Sequence, residues 1–592
     1  MNDTTKLHIV PADHQPATSA KSGLPVPFPR YDRRSDGLYF IDGKVDPETG
    51  ERIEKPAIWL CASFQIIGSG KDNKGDVYRL LHWKDAVDQQ SHRIALPSAI
   101  IGERECWKIL RAGGLAVAAS RFAQEKLAMY LQREGSQQPH QIIVQTGWCN
   151  GSYILPGGET IGQPDIPVFY SGDTTCARHY RSRCSLKDWQ DTVGHMASGN
   201  PLPMTAIACA LAGPLLALID ARDGIGLHLY GGSATGKSTC GDIAASIWGD
   251  PAKLLQSWSG TGVGLSNMAE ASNDGLLYLD EVGSGDPRKI GPAIYSMLNG
   301  VSKAQGTKEG GNRESRSWRL SLISTGEVRM SQFLDEGGQT TRGGQEVRLL
   351  DLPADSGRYR AFDCLHGHID GEAFSTALTD AARTHSGAIG RAWVGWLAEH
   401  RDEVRKTVLD SQNRLLAMLP DCAAPTVRRA TKKFGVLLAA AIMASRAGLT
   451  GWTEQEAIDG VSGGWAIWLD DFGLEDRDDA RLIEQAVGVL KSNELARFRL
   501  LPIDEAKADP VIRDLMGYRR FESDGQVVFF VLPHAFKNEV IAGYEVKQAC
   551  KALHRSGLLK KHGDGWTQNA GKRIGRAYWM VAIPMDTDKS KN

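Results

Sequence analysis

GIGLHLYGGSATGKSTCGDIAASIWGDP, residues 224–251, joins a short apolar run to a glycine-rich loop and then to a segment of helical spacing. The loop reads GxxxxGKS, from Gly231 to Ser238. Glycines there let the backbone wrap closely around an anion, so that successive N–H groups and a helix N-terminus point at phosphate. Gly231, Gly232, Ser233, Ala234, Thr235, Gly236, Lys237, Ser238 and Thr239 are therefore the candidate nucleotide-binding residues. Lys237 is placed to reach the β and γ phosphates and Ser238 to bind magnesium. Cys240, Ile243, Ala244, Ile247 and Trp248 recur at helical spacing, and Gly249 and Pro251 supply a stop. The pattern predicts ATP and Mg2+ as cofactors, held on a parallel α/β sheet.

Downstream, GLLYLDE runs from Gly275 to Glu281. As a buried strand it delivers Asp280 and Glu281 at its C-terminal end, where open α/β sheets bind their ligands. Asp280 is the candidate to hold magnesium, through water, and Glu281 the candidate to polarise the attacking water. Adjacent carboxylates favour hydrolysis over transfer to a second substrate. Taken alone, the pair is equally an ordinary solvated strand end. A third strand, WRLSLISTGE from Trp318, ends in Ser324, Thr325 and Glu327. A hydroxyl there either senses the γ phosphate or makes a simple turn. In TTRGGQEVRLLDLP, Arg342 and Arg348 are each either an arginine supplied to a neighbouring subunit's site or half of a surface ion pair.

A chain of 592 residues is long enough for several cores. Hydrophobic residues at 42% and charged residues at 23% are near the averages of globular proteins and indicate neither a disordered nor a fibrous protein. The net charge of -1 excludes a uniformly basic nucleic-acid coat but not local patches. Residues 1–30 are polar and Pro-containing and read as disordered, with no apolar leader, so the expected location is cytoplasmic. The apolar stretch 201–221 is broken by Gly213 and Pro214 and ends at Asp220, which predicts a buried helix rather than a membrane span. Ten cysteines without a CxxC pair fit reduced thiols. Cys364, His366 and His368 lie close together without a second ligand pair, so no metal site is expected of them.

The expected organisation is an α+β N-terminal module over 31–185, with helical stretches near Arg104 to Gly113 and Arg121 to Arg133. An ATPase core with a helical lid follows over 186–465, then a linker over 466–495 and a small unit over 496–592. Two places suggest a polyanion. VSKAQGTKEGGNRESRS, residues 301–317, carries Lys303, Lys308, Arg313 and Arg316 on a glycine-rich stretch, which by composition is a solvated surface loop as readily as a binding hairpin. From Ile541 to the C-terminus there are ten Lys or Arg against four Asp or Glu, a net of +6 in a chain of net charge -1. There Val546, Ala549, Cys550 and Leu553 form a helical face, followed by a short strand, a Gly-containing turn and the alternating strand AYWMVAIP. This segment resembles a winged-helix module, with Lys551, Arg555, Lys560, Lys561, Lys572, Arg573 and Arg576 as candidate phosphate contacts. Such modules also serve as protein docking units.

In the order of its motifs the chain resembles an AAA+ ATPase, and more narrowly the domain-of-unknown-function 927 family of helicase-like proteins carried by phages and mobile elements. The resembling stretches are GWCNGSYILPGG (147–158), GGSATGKST, GLLYLDEVG, AIYSMLNGVSK (293–303), LISTGE and GGQEVRLLDLP. That family is similar in its ATPase part to the minichromosome-maintenance replicative helicases. The resemblance implies a homo-oligomeric ring, a hexamer, translocating on single-stranded or forked DNA, with a replication initiator or primase as a further partner. It makes Lys237, Ser238, Asp280 and Glu281 the core of the ATP site. PTVRRATKKFGVLLAAAIMASRAGL resembles the lid helix that brings an arginine to the γ phosphate, which implies Arg428 or Arg429. The basic stretch takes the place of a hairpin that tracks the DNA backbone in a ring's channel. Where asparagine is frequent in the replicative ring helicases, this chain has Ser324 and Thr325. An ATP-dependent switch that binds DNA without unwinding it accounts for the same motifs, whereas a decayed ATPase does not fit four intact core residues.

Overall fold

The computed structural model describes residues 28–302, 316–338, 347–475, 477–502, 512–522, 526–571 and 574–582. They form two compact units, the first comprising the described residues up to Ile143 together with Ile166–Ser171. It holds an antiparallel sheet of Arg30–Arg34, Gly37–Ile41 and Ile58–Cys61, and a five-stranded mixed sheet built around Gln65–Lys71 and Val77–Lys84. The two expected helices are present, at Arg104–Ala112 and Arg121–Arg133. Ser120 caps the second by accepting the Ala123 N–H at 3.3 Å.

The second unit is organised by five parallel strands: β1 (Ile225–Tyr230), β2 (Leu255–Ser257), β3 (Gly275–Asp280), β4 (Leu320–Gly326) and β5 (Leu349–Pro353). Their order across the sheet is β2-β3-β4-β1-β5. The strands read as near-continuous apolar runs because both faces are covered. Helix α1 (Pro201–Leu218) lies against one face, and α2 (Lys237–Ser246) follows the glycine-rich loop. At Gly213 the approach of α1 to the sheet leaves no room for a side chain, since a Cβ there would stand 2.5 Å from the Gly275 carbonyl oxygen. Among the described residues α1 alone is long and apolar enough to cross a membrane, and most of it is buried inside the protein.

Helix α3 (Pro287–Asn299) packs beside β4, while α4 (Pro425–Arg446) and α5 (Glu454–Phe472) pack on each other and on α1. Trp465 of α5 donates its indole N–H to Thr431 of α4 at 3.1 Å.

Two expectations about boundaries are corrected. Residues 144–165 belong with the second unit, not with the N-terminal module. The Trp148 backbone N–H donates to the Asp274 carboxylate at 3.0 Å, and the Tyr153 hydroxyl donates to the Asp274 carbonyl at 2.9 Å. Most of the described part of 466–495 is helical rather than a linker: α5 continues to Phe472 and α6 occupies Arg477–Asn493. Leu482, Ala486 and Leu490 recur at i, i+4 and enter the core of the C-terminal part, which stabilises a helix that charge alone would leave exposed. That part also has a larger sheet than expected, ordered Phe498–Leu500, Gly517–Phe521, Val527–Val531, Arg576–Ala582, Gln568–Asn569. Helix α7 (Val546–Arg555) buries Ala549, Cys550 and Leu553, three residues of its expected face.

Candidate nucleotide site

The loop between β1 and α2 reverses the chain through left-handed backbone at Ala234 (φ 56°) and Gly236 (φ 95°). Gly236 is required twice over, because a Cβ there would also stand 2.9 Å from both Ala361 and the Phe362 ring. The Lys237 ammonium donates to the carbonyls of Gly231 (2.8 Å) and Gly232 (2.7 Å). Burial lowers its pKa, against the opposing influence of Glu281, Glu327 and Asp280. Ser238 is exposed in the first turn of α2, and its carbonyl accepts from the Tyr278 hydroxyl at 3.2 Å. Thr239 turns away from the loop: its hydroxyl lies 2.6 Å from that of Ser375.

β4 lies between β1 and β3, which brings the end of the third strand between the loop and the acidic pair. Thr325 stands opposite Leu229 in register. Its hydroxyl donates to the Asp280 carboxylate and accepts the Glu281 N–H at 3.0 Å. Glu281 itself is left-handed (φ 49°), with its carboxylate accepting the Gly283 N–H at 3.1 Å. Ser324 is on the other face, as alternation along a strand demands. Its hydroxyl is buried with His228 Nδ1 at 2.9 Å and accepts the Trp258 indole N–H at 3.0 Å. Burial pushes the His228 imidazole down to about 4. Of the two hydroxyls, Thr325 is the one that touches the acidic pair.

The arginines separate. Arg348 precedes β5 at the opposite end of the sheet from the loop, where the Gly226 N–H donates to its carbonyl at 3.0 Å. Its guanidinium is 3.8 Å from Asp223, which also meets Lys433 at 3.5 Å. Within one chain Arg348 is therefore remote from the phosphate loop. Arg428 folds back onto the carbonyls of Ala423 (3.4 Å), Pro420 and Asp421 (both 3.3 Å), closing the turn before its own helix. Arg429 is exposed. Arg342, Lys303, Lys308 and Arg313 lie outside the described residues. An arginine that spacing did not mark, Arg360, donates from Nη1 to the carbonyls of Ala234 (2.6 Å) and Ser233 (3.4 Å). Only tertiary contact across 126 residues reveals it.

In the C-terminal part Lys551, Lys560, Lys561 and Arg576 are exposed. Arg555 is engaged with Asp479 at 2.6 Å, and Lys561 lies 5.6 Å from the Trp566 ring centre. Lys572 and Arg573 lie outside the described residues.

Fold and site together define a multidomain α/β protein whose parallel sheet carries a glycine-rich loop beside a carboxylate pair. The family described as Domain of unknown function (DUF927) matches residues 31–317. A solved structure titled "SCCmec type IV Cch - active helicase" superposes with a TM-score of 0.67 over 95% of this chain and 98% of that one, at 16% identity. The two share a fold. A second structure, titled as the apo form of the NrS-1 C-terminal region, covers 65% of this chain and 91% of that one at 9% identity, and its TM-score of 0.25 carries no argument. No curated protein matches the chain.

Proposed function

We propose that this chain is an ATP-driven DNA helicase of a phage or mobile element, working as a homo-oligomeric ring, a hexamer, with an AAA+ core, a lid of α4 and α5 and a C-terminal winged helix. The observation that carries the reading is Thr325, which joins Asp280 to Glu281 on the strand next to the loop. A parallel sheet with a polar strand end between loop and carboxylates, at the C-terminal ends of its strands where open α/β sheets bind ligands, fits the resemblance to an AAA+ ATPase. The residues fit magnesium: a hydroxyl at the start of α2, Ser238, and a carboxylate oriented by a neighbouring hydroxyl, Asp280. When bound, the ion neutralises phosphate charge.

In this reading Lys237 exchanges the loop carbonyls for the β and γ phosphates, which are the stronger acceptors. Glu281 orients the attacking water, and an arginine from the neighbouring subunit stabilises the charge that develops. The helicase reading is supported by the fold shared with a structure titled an active helicase. DNA as the polymer moved is supported by the exposed Lys551, Lys560, Lys561 and Arg576.

ATP turnover is to be measured with and without single-stranded DNA, and strand displacement on forked duplexes, for wild type and Glu281→Gln. The helicase reading expects DNA-stimulated turnover and displacement, both lost in the variant. Turnover without displacement on forks of either polarity sinks it and leaves a DNA-bound switch.

A further inference from the structure

A loop that points its N–H groups inward at phosphate must turn its carbonyls outward, and those carbonyls need donors of their own. Here five in succession have one. Lys237 takes Gly231 and Gly232. Arg360 takes Ser233 and Ala234. The Ala361 N–H takes Thr235 at 3.2 Å. The second and third of these donors come from one short segment after β5, whose next residue, Phe362, lies against Gly236.

That segment is itself sharply folded. The Gly357 N–H donates to the Arg360 carbonyl at 2.6 Å and the Tyr359 N–H to the Phe362 carbonyl at 2.7 Å. The turn places Arg360 in left-handed backbone (φ 66°), a conformation an arginine adopts only when its surroundings impose it. It therefore meets the left-handed Ala234, to whose outward carbonyl it donates, across two strained turns that fix each other.

We propose that Arg360 is a positioning residue of the nucleotide site, holding the tip of the phosphate loop in the shape that admits ATP. The proposal rests on the reading of Gly231–Ser238 as an ATP site. Lys237 cannot do this work while it serves phosphate, because its ammonium then leaves the carbonyls of Gly231 and Gly232. Arg360 reaches the tip from outside and keeps its bonds throughout. A planar guanidinium suits the task, since one nitrogen spans two neighbouring carbonyls in a fixed plane, which a lysine ammonium on a flexible stem holds less rigidly. The consequence falls on ATP affinity rather than on the hydrolytic step, which belongs to the acidic pair at the end of β3.

The test uses the full chain and follows ATP turnover against ATP concentration for wild type, Arg360→Ala and Arg360→Lys, with binding of a fluorescent ATP analogue and thermal midpoints alongside. Arg360→Ala is expected to raise KM roughly tenfold while kcat changes less than about twofold, and Arg360→Lys to recover part of the loss. An unchanged KM in Arg360→Ala overturns the proposal. So does a fall in kcat and thermal midpoint at constant KM, which marks a fold brace. Lys237→Ala separates the two layers of the argument. If wild type and Lys237→Ala bind the analogue alike, the loop is no ATP site and the underlying reading fails. If only Lys237→Ala loses binding and Arg360→Ala behaves as wild type, the loop stands and Arg360 is excluded.

Discussion

The Tyr230 hydroxyl donates to the Asp471 carboxylate at 2.7 Å, tying the residue before the phosphate loop to the last turn of α5. Arg329, just beyond β4, pairs with the same carboxylate and lies 5.1 Å from the Tyr230 ring centre. Burial and the neighbouring carboxylate push the Tyr230 hydroxyl well above the usual tyrosine range, so it remains a donor at any working pH. The ends of β1 and β4 and helix α5 thus share one carboxylate.

Tyr230→Phe and Asp471→Leu are each expected to lower the thermal midpoint, by the equivalent of at least about 1 kcal/mol, the second by more because it also removes the pair with Arg329. Because both remove the same bond, the double variant falls no further than the worse single variant. Strictly additive losses, read by calorimetry, would show that the two side chains act independently.

Thr325→Val keeps the shape of the side chain and removes the bridge between Asp280 and Glu281. Turnover is expected to fall at least about tenfold with KM for ATP within about threefold of wild type, since the acidic pair acts on the transition state. Thr325→Ser retains most of the rate. Full activity in the valine variant would remove Thr325 from the site.

His228 contributes a pH dependence. Its folded pKa of about 4 lies below the ordinary value of 6.5. The unfolded chain therefore binds the proton more readily, and the neutral buried ring contributes fully above pH 6.5. That contribution, on the order of 3 kcal/mol, is lost as pH falls from 6.5 towards 4. Thermal midpoints measured between pH 7.5 and 4.5 are expected to drop more steeply in wild type than in His228→Gln. Parallel curves would contradict the assignment.

Lys560→Ala combined with Lys561→Ala is expected to weaken binding to single-stranded DNA and to flatten its salt dependence. Two lost phosphate contacts reduce the log–log slope by about 1.4. A weaker affinity with an unchanged slope would mean that neither lysine meets phosphate.

Much of the candidate site was legible because its chemistry is local. The loop from Gly231 to Ser238 is contiguous, and its glycines declare the backbone they need. The strand carrying Asp280 and Glu281 announces itself as an apolar run ending in carboxylates, and α1 is marked as buried by its apolar length interrupted by Gly213 and Pro214. The charges of 466–495 misled for the opposite reason: Leu482, Ala486 and Leu490 are sparse, and their periodicity gains meaning only from the core they enter.

The sequence by itself nominated the residues proposed for phosphate, magnesium and water chemistry, since spacing along a loop or strand end is a property of neighbours in the chain. Tertiary structure decided which of two adjacent hydroxyls meets the carboxylates, because successive residues of β4 face opposite sides and only the sheet order says which side is the site. It also decided between arginines. Arg428 is spent on carbonyls of the turn before its own helix and Arg348 faces Asp223 at the far end of the sheet, while Arg360 reaches the loop across 126 residues. A guanidinium on a long side chain takes whatever acceptor the fold presents, and no sequence spacing encodes that choice.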